Sequence, residues 1–176
     1  MNNILKRFIR EPEREFHIRE LAKYTQKSPA TIAKYLADYE KKEYLTHERR
    51  LNHLLYKADT ANSAFKELKM GHNQRLLRTT GLIQHLVDTF NHPEAIILFG
   101  SFAKGEDGPK SDVDILIVTP AKKNVNLALF EKKISRPIQL FVHSRDEIER
   151  MKIKNKELLN NWINGRVIGG FWELFR

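Results

Sequence analysis

Two short stretches of this 176-residue sequence, Gly100-Ser101 and Asp112-Val113-Asp114, have residue types and spacing that can do chemistry. Gly100 follows the apolar run Ala95 to Phe99 and precedes a stretch that reads as a helix. A glycine there lets a ligand approach the main chain, and Ser101 can cap the helix or bind a phosphate oxygen. The unpaired N–H groups of a helix start favour an anion. Alone, the same residues also read as an ordinary strand-to-helix turn. For the aspartates, a strand period of two puts both carboxylates on one face, with Val113 on the other. Aspartate is depleted in strands, and two adjacent carboxylates repel unless a cation lies between them. A hard divalent ion such as Mg²⁺, keeping some waters and bridging to phosphates, answers that need. Alone, this pair also reads as a solvated strand entrance. The spacing joins the two stretches, because only eleven positions separate Ser101 from Asp112.

The surrounding pattern is that of alternating strands and helices. Ala95 to Phe99, Asp112 to Val118 and Pro137 to His143 read as strands, the first two as continuous apolar runs of the kind buried on both faces. Val125 to Ile134, Arg145–Lys152 and Lys156–Asn164 read as helices, and Arg166–Gly170 as a short closing strand. Leu76, Leu77, Ile83, Leu86, Val87 and Phe90 mark a helix ahead of the first strand. Before it, Ala61, Ala64, Phe65 and Leu68 share one helix face, with Gly71 expected to break that helix at the domain junction.

With these elements in place, the segment Gly100-Ser101, Gly105 and Ser111-Asp112-Val113-Asp114 resembles the nucleotidyltransferases of the DNA polymerase beta superfamily, and among them the minimal prokaryotic group. The resemblance covers roughly residues 73–176. It implies that Gly100 and Ser101 contact the phosphates of an NTP, ATP being the expected one, with Lys104, Gly105 and Ser111 as further nucleotide-binding residues. It implies that Asp112 and Asp114 are catalytic and hold Mg²⁺ or Mn²⁺. The implied reaction transfers a nucleoside monophosphate to a protein or nucleic-acid acceptor and releases pyrophosphate. Members of that group also work in toxin–antitoxin pairs, which makes a cognate toxin one expected acceptor or partner. One departure stands out. Active members carry a third carboxylate on the neighbouring strand, where this sequence has Gln139, and a neutral amide adds neither charge nor a base near neutral pH. A regulator with a weak or inactive transferase site is therefore the alternative reading.

The first third reads as three helices and a hairpin. Ile4, Leu5, Phe8 and Ile9 recur at helical spacing until Pro12, and Ile18, Leu21 and Ala22 mark a second short helix. Ser28-Pro29 opens a third, with serine as N-cap and proline at the first helical position, and Ile32, Leu36 and Tyr39 as its buried stripe. Glu43 to Glu48 and Asn52 to Lys57 read as strands joined through Arg49-Arg50-Leu51. This part resembles the winged helix-turn-helix of prokaryotic regulators. Ser28, Ala30, Thr31, Lys34 and Tyr35 would then face a DNA major groove, with Arg49 and Arg50 at the wing tip. A helical module that binds protein is the alternative.

The expected class is thus α+β: a winged helix-turn-helix over 1–60, a connecting helix over 61–72 and a nucleotidyltransferase α/β domain with a mixed sheet over 73–176. A net charge of +9 suits polyanionic partners, and it is spread over both halves, with 15 Lys/Arg against 10 Asp/Glu in residues 1–70. Absence of cysteine excludes disulfides and thiolate metal sites. No apolar run approaches membrane-spanning length, so a cytoplasmic protein with no membrane partner is expected. Trp162, Phe171, Trp172 and Phe175 read as packing residues, and a homodimer reading two DNA half-sites is a further expectation.

Overall fold

The computed structural model describes residues 2–173, and the chain divides into two compact units, Met1–Lys69 and Met70–Arg176. In the first unit the elements run α1 (Asn3–Arg10), β1 (Phe16–His17), α2 (Ile18–Thr25), α3 (Pro29–Lys41), β2 (Leu45–Arg50) and β3 (His53–Ala58). The strands pair antiparallel in the order β1-β3-β2. Their core gathers Ile4, Phe8, Phe16, Leu21, Ile32, Leu36, Leu45 and Phe65. Ser28 caps α3 by accepting the Thr31 N–H at 3.1 Å, and Pro29 occupies the first turn, where no partner for its nitrogen is needed.

Two local expectations need correcting in this region. The hairpin turns at Leu51-Asn52, with Arg50 opposite His53, so Arg49 and Arg50 end a strand instead of forming the turn. Both turn residues have positive φ, 46° and 63°, the mirror-image turn whose twist matches that of the flanking strands. Asparagine tolerates that conformation, and Leu51 is left 95% exposed at the tip. Secondly, Gly71 does not break its helix: α4 runs unbroken over Ser63–Thr79, so Leu76 and Leu77 belong to it, and the break before Ile83, Leu86 and Val87 falls at Gly81, left-handed at φ 80°. One interior glycine costs only about 1 kcal/mol against alanine, which a helix with flanking contacts absorbs.

The second unit continues with α5 (Leu82–Thr89), β4 (Ala95–Phe99), α6 (Gly100–Lys104), β5 (Val113–Val118), α7 (Ala128–Ile134), β6 (Ile138–His143), α8 (Arg145–Lys154), α9 (Lys156–Ile163) and β7 (Arg166–Gly170). The four strands form a mixed sheet in the order β6-β5-β4-β7, with β5 and β6 parallel and the other two pairs antiparallel. Alternation sends Ile96, Leu98, Val113, Ile115 and Ile117 into a core with Leu82, Leu86, Phe102 and Phe130. On the other face, Ala95, Ile97, Phe99, Leu116 and Val118 meet Ile148, Leu159 and Trp162. Because both faces are covered, the two central strands carry apolar residues almost throughout.

Further boundaries in this unit differ from the sequence reading. The third helix of this unit is shorter than Val125 to Ile134, starting at Ala128, whose N–H is received by the Asn126 side chain at 3.1 Å. β5 begins at Val113, whose N–H bonds the Pro137 carbonyl at 2.9 Å, leaving Asp112 one residue ahead of the ladder. At the chain's end, Trp162 is fully buried and Trp172 packs against the second core, but Phe171 is 62% exposed and is not a packing residue. Phe175 lies outside the described residues. No helix among the described residues is long and apolar enough to cross a membrane.

Candidate functional site

The site begins where β4 stops. Phe99 pairs with Asp114 across the antiparallel β4–β5 ladder, so the residue after Phe99 lies beside the start of β5. That residue is Gly100, and its φ of 72° is the left-handed conformation that favours glycine. A Cβ placed on Gly100 would overlap the Asp114 carboxylate and lie 3.2 Å from its Cγ. The aspartate therefore occupies the space that any other residue at position 100 would fill. Thus the bend and the acid interlock.

Beyond the bend, α6 is a single short turn of helix that ends at Gly105, left-handed at φ 68° and buried. Gly105 thus serves the helix end. Ser101 is half-buried in the first turn of α6, where backbone N–H groups have no partner within the helix. Lys104 is exposed in its last turn. The Ser111 hydroxyl accepts the Gly108 N–H at 2.9 Å, so it closes the loop that delivers Asp112.

Asp112 is exposed and Asp114 half-buried. Burial pushes the Asp114 carboxyl above the usual carboxylate range, and the Asp112 charge pushes it the same way. An acid whose ionised form is disfavoured by burial and by a neighbouring carboxylate suits a hard cation, which would relieve the repulsion and repay the desolvation. Parallel pairing of β5 with β6 sets Gln139 in register with Asp114. Among the described residues no group of three or more His, Cys, Asp or Glu could hold a metal ion. Asp112 and Asp114 would suit at most one divalent ion. They supply no third carboxylate for a second ion.

Sequence reasoning missed Asp107, Arg136 and Asn73. Arg136 pairs with Asp107 at 2.8 Å, and Asn73 donates to Asp107 Oδ1 at 2.8 Å and to the Phe102 carbonyl at 2.9 Å. Nothing local in the sequence marks them, since the partners lie 29 to 34 positions apart.

In the first unit the structure places Ser28, Ala30 and Lys34 in the open, with Thr31 half-buried. Tyr35 is half-buried like Thr31, packing partly against the core and stacking on Tyr39 with ring centroids 6.4 Å apart. Arg49 and Arg50 are exposed near the hairpin tip. Arg50 is held by Glu15 and, at 3.2 Å, by Glu48, whereas Arg49 meets only the Asn52 side chain, at 3.5 Å, among the described contacts.

Comparison with family models matches residues 81–168 to the family described as Nucleotidyltransferase domain. Neither the curated proteins nor the solved structures gave a match.

Proposed function

The chain belongs to the nucleotidyltransferase domain family, and from that premise we propose that it binds an NTP with a divalent cation and transfers the nucleoside monophosphate to a protein or nucleic-acid acceptor. The observation that carries this reading is the interlock of Gly100 with Asp114. It puts a main chain stripped of side-chain bulk beside an acid with unmet negative charge.

In this reading the triphosphate lies at the bend between β4 and α6, with the N–H groups of the first turn of α6 and the Ser101 hydroxyl donating to its oxygens. Asp112 and Asp114 hold the cation, Mg²⁺ or Mn²⁺, which when bound neutralises phosphate charge and orients the oxygens around phosphorus. An acceptor oxygen bonds to the α-phosphorus of ATP, the bond to the bridging oxygen breaks, and pyrophosphate leaves. The acceptor's proton passes to water, because the Gln139 amide cannot take it. Lys104 is within the same segment as a supplementary phosphate contact.

The test is incubation with α-labelled ATP, Mg²⁺ or Mn²⁺ and a cell extract. Label on an acceptor, lost in Asp112→Asn, supports the enzyme. Gln139, in register with Asp114, favours a second reading in which nucleotide is bound but scarcely transferred. Under that reading Gln139→Asp restores a carboxylate next to Asp114 and raises label transfer by about 100-fold, the lower end of what a positioned acid–base group contributes. No gain in transfer, with nucleotide still bound, would remove Gln139 as the cause of weak activity.

For the first unit we propose a winged helix-turn-helix that binds double-stranded DNA in the cytoplasm, with Ser28, Ala30, Thr31 and Lys34 toward the groove and β2–β3 as the wing. A dimer would read paired half-sites, and a cognate toxin is the acceptor to seek by co-purification. Support comes from the capped, outward-facing start of α3 and the arginines near the hairpin tip. Binding measured by anisotropy of a labelled duplex should weaken steeply with KCl. Arg49→Ala should reduce the log–log salt slope by about one, as expected for one lost phosphate contact. Arg50→Ala should reduce it less, since Glu15 and Glu48 already hold that guanidinium. Equal slopes for both variants and the parent would count against a wing contact.

A further inference from the structure

Between the Gly100-Ser101 bend and Asp112 the chain runs through α6 and a loop, and a buried polar cluster grips both. The Asp107 side chain is 1% exposed and that of Arg136 10% exposed, an ion pair almost fully withdrawn from water. Arg136 also donates to the Gly108 carbonyl and, at 3.2 Å, to the Ser111 carbonyl, so one guanidinium spans the loop from end to end. Its Cζ lies 5.8 Å from the centre of the Phe102 ring in α6. From α4, Asn73 joins the Phe102 carbonyl to Asp107 Oδ1.

Burying charge is costly unless it is paired, so taking away either member of the ion pair strands the other. Here the arrangement fixes α6, which follows the bend, and the residue immediately before Asp112. We propose that Asp107, Arg136 and Asn73 are positioning residues that set the reach from Ser101 to Asp112, so that nucleotide phosphate and cation are gripped together. The proposal rests on the nucleotide reading of the site. None of the three touches nucleotide; they act through the loop. Arginine is suited to the task because its planar fork spreads donors in fixed directions over a carboxylate and two carbonyls, whereas the donors of a lysine all sit on one nitrogen.

The experiment uses the full chain with ATP and Mn²⁺, reading Mn²⁺ affinity by electron paramagnetic resonance and backbone opening by amide hydrogen exchange. Removing one charge strands the other, so the principal variant is Asp107→Leu with Arg136→Met, an apolar replacement of both. A folded double variant should bind Mn²⁺ in the presence of ATP about 10- to 100-fold more weakly, the usual cost of losing outer support for a metal site. Exchange should quicken at 106–112 while 95–99 stay protected. Arg136→Lys should fall between the parent and the double variant. Should the double variant fail to fold, Asn73→Ala supplies the same two readouts. Unchanged affinity with unchanged exchange at 106–112 overturns the proposal. If the parent itself binds no ATP with Mn²⁺, the nucleotide reading fails, and exchange alone then decides: faster opening of 106–112 upholds the clasp, unchanged opening overturns it.

Discussion

Gly100→Ala is expected to weaken binding of ATP with Mg²⁺ by about 10- to 100-fold, the range seen when the support of a metal ligand is lost. Two effects combine. Alanine at φ 72° is strained, and its Cβ would overlap the Asp114 carboxylate, which must then leave its place. The strain term alone, about 1–2 kcal/mol, should lower the unfolding midpoint of the C-terminal unit by roughly 4–9 °C. Gly108→Ala is the matched control, because a Cβ there meets nothing within 4 Å and φ is not positive. Isothermal titration with ATP and Mg²⁺, beside a thermal melt, separates binding from folding. If Gly100→Ala binds as the parent does, the interlock has no part in holding ligand.

Asp114→Asn should move stability and binding in opposite directions. Its carboxyl is pushed up first by burial and then by the Asp112 charge, so the folded state disfavours the ionised form. An acid whose folded pKa lies above its unfolded one favours folding most below the unfolded value. That advantage is lost as pH rises through the folded value. At neutral pH without metal, the parent therefore carries a penalty that asparagine does not. Asp114→Asn in EDTA should unfold at a higher temperature than the parent at pH 7, with the gap closing as pH falls below the carboxylate range. Its affinity for ATP with Mg²⁺ should fall beyond the ~10- to 100-fold loss typical of outer-shell changes, since a direct ligand is removed. A variant that is less stable at pH 7, or binds as well as the parent, would show that Asp114 answers to a partner inside the fold and not to a cation.

The asymmetry between what was legible and what was not follows from the range of the interactions involved. Ser28 as a cap and Ile32, Leu36 and Tyr39 as a stripe are local facts, decided within one or two turns of chain, and the structure has them as expected. Gly71 misled because a local propensity worth about 1 kcal/mol was weighed without the contacts that hold α4 together. Tyr35, at the edge of the α3 stripe, is drawn partly against the core by stacking on Tyr39, a contact that its exposed-face spacing did not show.

The residue types of the candidate site were readable in order along the chain: a glycine-serine bend, then two acids one residue apart, then a glutamine on the next strand. The strands that carry them were also legible in the sequence, since short unbroken apolar runs such as Ile96 to Phe99 suit strands buried on both faces. Tertiary structure alone decided that Asp114 fills the empty side of Gly100, that Gln139 stands level with it across a parallel ladder, and that Asp107 and Arg136 meet out of water. Those outcomes depend on strand register and on pairs brought together from distant parts of the chain. Periodicity and spacing record only what neighbours along the backbone require of one another.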